Sequence, residues 1–121
     1  MSEASKIRKF ESGATRDTDA GKLDYEGFLS PIVLNAYAEY LHKHRIQRDG
    51  NIRDSDNWQK LFGDTHYDVC MKSAWRHFMD VWMYHRGYKP RETIDDALGG
   101  LIFNMMAYWF ALLKERGTEQ K

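Results

Sequence analysis

The run from Leu98 to Leu113 is apolar except for Asn104, and it contains two adjacent glycines, Gly99 and Gly100. It is shorter than the ~20 residues needed to cross a bilayer, and acidic and basic groups close both of its ends. A buried helix is therefore the expectation. Within it Ala97, Gly100, Asn104, Ala107 and Ala111 recur at 3-4-3-4 spacing, which gathers small side chains into one helical stripe. Such a stripe lets a second helix approach closely. Close packing also offsets the ~1 kcal/mol of helix propensity that each glycine loses. The partner is either the helix that carries His77 or a second subunit. Met105, Met106, Trp109, Phe110, Leu112 and Leu113 make the rest of the circumference apolar. A helix apolar all round needs cover on every side, so a homodimer or larger assembly is expected.

The preceding segments read as helices joined by long loops. Residues 1–12 are polar and mixed in charge, a flexible tail before a single domain at 13–117. Residues 13–29 have three glycines and no helical or strand period; an ordered loop is expected, pinned by Tyr25 and Phe28. Ser30-Pro31 opens a helix, as N-cap and first helical residue. Val33, Leu34, Tyr37, Tyr40, Leu41 and His44 form its stripe, and its end falls near 44–47, before the Asp49-Gly50 turn. In the polar segment 48–65, Trp58, Leu61 and Phe62 fit a short helix docked on the core. The next helix, capped by Asp64 or Thr65, runs to Gly87, with Tyr67, Met71, Ala74, Phe78, Val81 or Trp82, and His85 as its apolar stripe. The last helix starts near Thr93, where Thr93-x-x-Asp96 is similar to a capping box, and runs to about Arg116. No alternation of apolar and polar residues persists over four positions. The expected fold is all-α: three main helices with long ordered loops, a small helical bundle.

Composition narrows the function. Lys plus Arg and Asp plus Glu number 18 each, without the basic excess of a duplex-binding module. Cys70 is the only cysteine, so neither an internal disulfide nor a CxxC metal motif is possible; its apolar neighbours suit a small buried hydrophobe. The start, MSEASKIRKFESG, lacks the apolar core of a signal peptide, and a cytoplasmic protein that does not span a membrane is expected. There is no GxxxxGK[ST] phosphate loop.

Candidate chemistry centres on two acidic pairs. His77 and Asp80 are three apart on one helix, and Glu92 and Asp95 are three apart at the start of the next. On neighbouring helices they could converge, with Asp96, into an oxygen-rich cluster suited to Mg²⁺ (or Mn²⁺) and substrate phosphates. Plainer readings stand beside this one. Asp80 could pair with Arg76 on the helix surface, and Asp95 and Asp96 could serve the first helical turn. Asn104 either bonds a neighbouring helix or contacts a nucleotide. Arg16, Lys22 and Lys60 are either solvated or phosphate-binding, and Trp58 either packs on the core or stacks on a base.

Four segments in order, RDTDAGKLDY at 16–25, SDNWQK at 55–60, WRHFMDVW at 75–82 and IDDALGGLIFN at 94–104, resemble the phage dATP/dGTP diphosphohydrolase family in its N-terminal-domain form. The family is a relative of the MazG-like all-α pyrophosphohydrolases. The resemblance covers residues 13–114 and rests on Gly21, Lys22 and Tyr25; Asn57, Trp58 and Lys60; Arg76 and His77; and Asp95, Asp96 and Asn104. It implies Mg²⁺-dependent hydrolysis of purine deoxynucleoside triphosphates to monophosphate and pyrophosphate, in the host cytoplasm. Asp80, Glu92, Asp95 and Asp96 would hold metal, and His77 and Asp80 would act in catalysis. Arg16, Lys22, Asn57, Trp58, Lys60, Arg76 and Asn104 would contact the nucleotide. The MazG-like pattern places Glu-x-x-Glu before Glu-x-x-Asp; here His77-x-x-Asp80 stands first, with one carboxylate fewer. That departure leaves open a non-catalytic protein that binds a nucleotide or docks on a host protein.

Overall fold

The structure is a computed structural model that describes residues 7–9, 11–17 and 21–120. The all-α expectation holds. Three long helices, α2 (Pro31–Lys43), α3 (His66–His85) and α4 (Ile94–Gln120), carry the fold, and α1 (Tyr25–Phe28) is a single turn. The chain divides into two compact units, Met1–Pro31 and Ile32–Lys121.

In the first unit β1 (Ile7–Lys9) and β2 (Thr15–Asp17) pair antiparallel, with Arg8 opposite Arg16. Three-residue strands are too short to leave a period of two in the sequence, which is why they escaped notice. Of the segment expected to be a loose tail, residues 1–6 and 10 lie outside the described residues, and 7–9 form a strand. Asp24 caps α1 by accepting the Gly27 N–H at 3.0 Å. Tyr25 and Phe28, expected to pin the loop, are instead exposed.

The second unit is built on the seam between α3 and α4. Cys70 and Ala74 from α3 meet the small stripe of α4, where Ala97, Gly100, Asn104, Ala107 and Ala111 are all buried. Gly100 lies against His77: a Cβ there would overlap the imidazole. The partner of the stripe is thus the His77 helix. Gly99 faces α2 instead, where a Cβ would stand 2.5 Å from the Tyr40 ring.

Of the apolar stripe expected on α3, Ala74 is buried and Tyr67 and Val81 are half-buried, but its other large members are not. Met71 and Phe78 are each 41% exposed and Trp82 is 46% exposed, whereas His66 and Asp80 are buried. Large side chains cannot enter a seam set by glycine and alanine, so α3 turns its small and polar side inward. His66 is secured there on both nitrogens. Nε2 lies 2.9 Å from the Ala107 carbonyl, and Nδ1 accepts the Phe62 N–H at 3.1 Å. Neither Asp64 nor Thr65 caps α3 with its side chain; the cap residue is Thr65, and it makes no such bond.

Between α2 and α3 the chain makes a tight turn at Asp49-Gly50, closed by an isolated bridge of Ile46 with Ile52. It then makes a 3₁₀ turn at Asn57–Lys60. Trp58 docks this turn on α4, edge-on to Phe110 at 4.9 Å and to Phe103 at 6.4 Å. Ile94–Gly117 of α4 is long and apolar enough to cross a membrane by length and composition.

Candidate functional site

Helix α3 and the start of α4 bring His77, Asp80 and Glu92 together, as their spacing predicts, but join them through a residue the sequence reading missed. Asp80 is 2% exposed. Its Oδ1 accepts the Arg91 backbone N–H at 3.1 Å and Nε–H at 3.3 Å, and its Oδ2 accepts from the second guanidinium nitrogen at 3.1 Å. This fork of charge-assisted bonds matches a carboxylate edge. The Arg91 side chain holds Asp80 below the usual carboxylate range, with the Arg91 backbone N–H and the Glu92 side chain adding to the effect against burial. Arg91 also bonds the Arg76 carbonyl at 3.1 Å. The expected surface partner of Asp80, the Arg76 side chain, instead turns to Ser73 Oγ at 3.0 Å. An acid inside a helix seam needs a cation, and Arg91, directly before Glu92, supplies it.

Glu92 is bound as well. Its Oε1 lies 2.6 Å from His77 Nδ1. At the helix start, Thr93 Oγ accepts the Asp96 N–H at 3.1 Å, half of the expected capping box. The Asp96 carboxylate turns away to Lys43 of α2, and Asp95 is exposed. The four-carboxylate set of Asp80, Glu92, Asp95 and Asp96 is therefore not assembled. Among the described residues no three His, Cys, Asp or Glu side chains are placed to hold a metal ion. In this arrangement Arg91 occupies Asp80, His77 occupies Glu92 and Lys43 occupies Asp96.

Next to this cluster lies a cavity of about 390 Å³ formed by the end of α2, segment 53–62 and Phe103 of α4. Tyr40 joins the two places. It lines the cavity, and its hydroxyl pKa is raised by burial and then by the nearby Glu92 and Asp96 carboxylates. Trp58, Phe62 and Phe103 give further aromatic wall, and Lys43, Arg45 and Arg53 supply cationic groups beside His44, Asp54, Ser55 and Asn57. Arg45 is braced by its Nε–H bond to the Arg53 carbonyl at 2.7 Å.

The expected nucleotide contacts scatter. Asn57 and Trp58 line the cavity, while Lys60, exposed at the end of its turn, does not. Asn104 is buried in the seam, where it donates to the Gly100 carbonyl at 2.8 Å. This bond lies within its own helix and not across to a neighbouring one. Arg16 and Lys22 belong to the first unit. Lys22 is exposed, and the Arg16 side chain lies outside the described residues. The sequence alone does not single out Tyr40, Lys43, Arg45 and Arg53: Lys43 and Arg45 sit in the basic helix end HKHRIQR, and Tyr40 and Arg53 join them only in the fold. No protein-family model, curated protein or solved structure matches this chain.

Proposed function

We propose that the second unit binds a purine deoxynucleoside triphosphate in the cavity between α2, segment 53–62 and α4. One observation carries this reading: aromatic walls and cationic groups share a single concave site of nucleotide size. Binding cavities for small molecules run from roughly 300 to 1,000 Å³ and combine apolar walls with a few polar groups. Tyr40, Trp58, Phe62 and Phe103 suit a base, since every base offers a face for stacking. Lys43, Arg45 and Arg53 suit phosphate oxygens. The choice of a purine, and of a deoxyribose, comes from the resemblance. Titration of the intrinsic tryptophan fluorescence with dATP, dGTP, dCTP and inorganic triphosphate tests the reading. Saturable quenching that favours the purines is expected. Equal, weak responses to all four would overturn it.

A second reading, pyrophosphohydrolase activity toward the same nucleotides, is favoured by the gathering of His77, Asp80 and Glu92 beside Tyr40. Incubation with each deoxynucleoside triphosphate and Mg²⁺ or Mn²⁺, followed by assay for pyrophosphate, separates the two. Under this reading Asp80→Asn and Glu92→Gln each abolish product formation while circular dichroism stays unchanged. Nucleotide binding without pyrophosphate leaves the first reading alone standing.

A further inference from the structure

The outer face of α4 carries Leu98, Ile102, Met105, Trp109 and Leu113, between 39% and 64% exposed. These positions recur at four, three, four and four, a continuous apolar stripe on one side of the helix. No charge interrupts it. At its N-terminal end stands Asp95 and at its C-terminal end Arg116, both exposed.

The order of these residues is symmetric. Leu98 and Leu113 lie equally far from a point between residues 105 and 106. So do Ile102 and Trp109, and so do Asp95 and Arg116. An antiparallel copy centred there places Leu against Leu, Ile against Trp, and Asp against Arg at both ends. A parallel copy places Asp beside Asp and Arg beside Arg, and it aligns the helix dipoles unfavourably.

We propose that α4 pairs antiparallel with α4 of a second copy of this chain, about a twofold axis between Met105 and Met106. Beside the stripe a groove of about 230 Å³ opens between α3 and α4, lined by Met71, Trp75, Phe78 and Met105; it receives side chains from the partner's helix. The area is sufficient. With residue surfaces on the order of 200 Å², the half-exposed stripe and groove residues offer roughly 800 Å² per copy, the share of a standard stable interface. The pairing is independent of the nucleotide reading, since none of the stripe residues lines that cavity.

Light scattering at micromolar concentration should give twice the chain mass of 14.3 kDa. Trp109→Glu, at a position already 64% exposed, should give a folded monomer. Met105→Cys should form an interchain disulfide under mild oxidation, while Leu98→Cys should not, because antiparallel pairing holds its two copies roughly 22 Å apart. Asp95→Arg and Arg116→Asp should each weaken association about two- to fivefold, and the double variant should recover it. A parent mass of 14.3 kDa overturns the proposal. So do efficient crosslinking through Leu98→Cys, failure of the double variant to recover, and insertion of monomers into phosphatidylcholine vesicles.

Discussion

The two sides of α3 and α4 invert the usual distribution of residues. Their facing sides are lined by Gly100, Ala107, Ala74, Cys70, His66, Asp80 and Asn104, small or polar and all buried. Their outer sides present Trp75, Phe78, Trp82, Ile102 and Trp109. Close approach explains the seam: where a glycine touches a ring, dispersion contacts between backbone and side chain replace bulky side-chain burial. Each polar group in the seam then needs a designated partner, since burial without one is costly. Asp80 has Arg91, His66 has the Ala107 carbonyl, and Asn104 has the Gly100 carbonyl. The outer sides follow a different rule, since exposed apolar area on this scale is a mark of interaction surfaces in general.

The harshest way to break the seam is to fill it. Gly100→Leu should destabilise by ~3 kcal/mol or more. The His77 ring that a Cβ would strike cannot swing aside without losing its bond to Glu92. Gly117→Leu on the same helix meets nothing within 4 Å. It should be neutral or gain up to ~1 kcal/mol in helix propensity. Urea unfolding of the two variants measures the contrast, and equal stabilities would mean the seam is looser than its geometry.

Next in size is loss of the designated partner. Arg91→Ala removes the guanidinium fork from the buried Asp80 carboxylate and should lower the unfolding midpoint. The same pair sets a pH dependence. The folded-state pKa of Asp80 is lowered, so its contribution is fully present above the unfolded value of ~3.9. It is lost as pH falls from there through the folded value. Unfolding midpoints between pH 6 and pH 2 should therefore fall less steeply in Asp80→Asn than in the parent. Parallel curves would assign the acid sensitivity to other groups.

What could be read in the sequence divides along the same line. The stripe Ala97, Gly100, Asn104, Ala107 and Ala111 was legible because residue size is local and periodic, and it predicted the buried face of α4 correctly. On α3 only Ala74 of the apolar stripe is fully buried, because hydrophobicity alone does not mark the face that meets α4. The demand for small residues came from the partner helix, and no single segment contains that information. The convergence of His77, Asp80 and Glu92 was legible from i,i+3 spacing. Their saturation by Arg91 and the pairing of Asp96 with Lys43 were not, since both depend on how α4 enters the bundle. The cavity was half legible. Asn57 and Trp58 were singled out, but Tyr40, Lys43, Arg45 and Arg53 come from a helix end and a turn that meet only in the fold.

A smaller effect on stability sharpens the view of the cavity. Trp58 packs edge-on against Phe103 and Phe110 while lining the cavity. If it also stacks on a base, Trp58→Phe should retain most of the docking contact and most of the binding. Trp58→Ala should then lose ~1–3 kcal/mol of nucleotide affinity. Calorimetric titration with dATP decides this. Equal affinity in all three proteins would confine Trp58 to packing.

The smallest expected change in stability is the most informative about chemistry. Lys43 and Asp96 form an ion pair across α2 and α4, with Lys43 about half exposed. Such a pair contributes ~0–1 kcal/mol, so Asp96→Asn should scarcely move the unfolding midpoint. Its effect on ligand depends on what Asp96 does. If the cavity binds phosphate through Lys43, Asp96 competes with the ligand for that ammonium group, and its neutralisation should tighten dATP binding in the absence of divalent ions. If Asp96 instead holds Mg²⁺ for a bound triphosphate, the same substitution should weaken binding only when Mg²⁺ is present. One variant measured with and without Mg²⁺ thus gives opposite signs for the two roles, against a background in which the fold is unchanged.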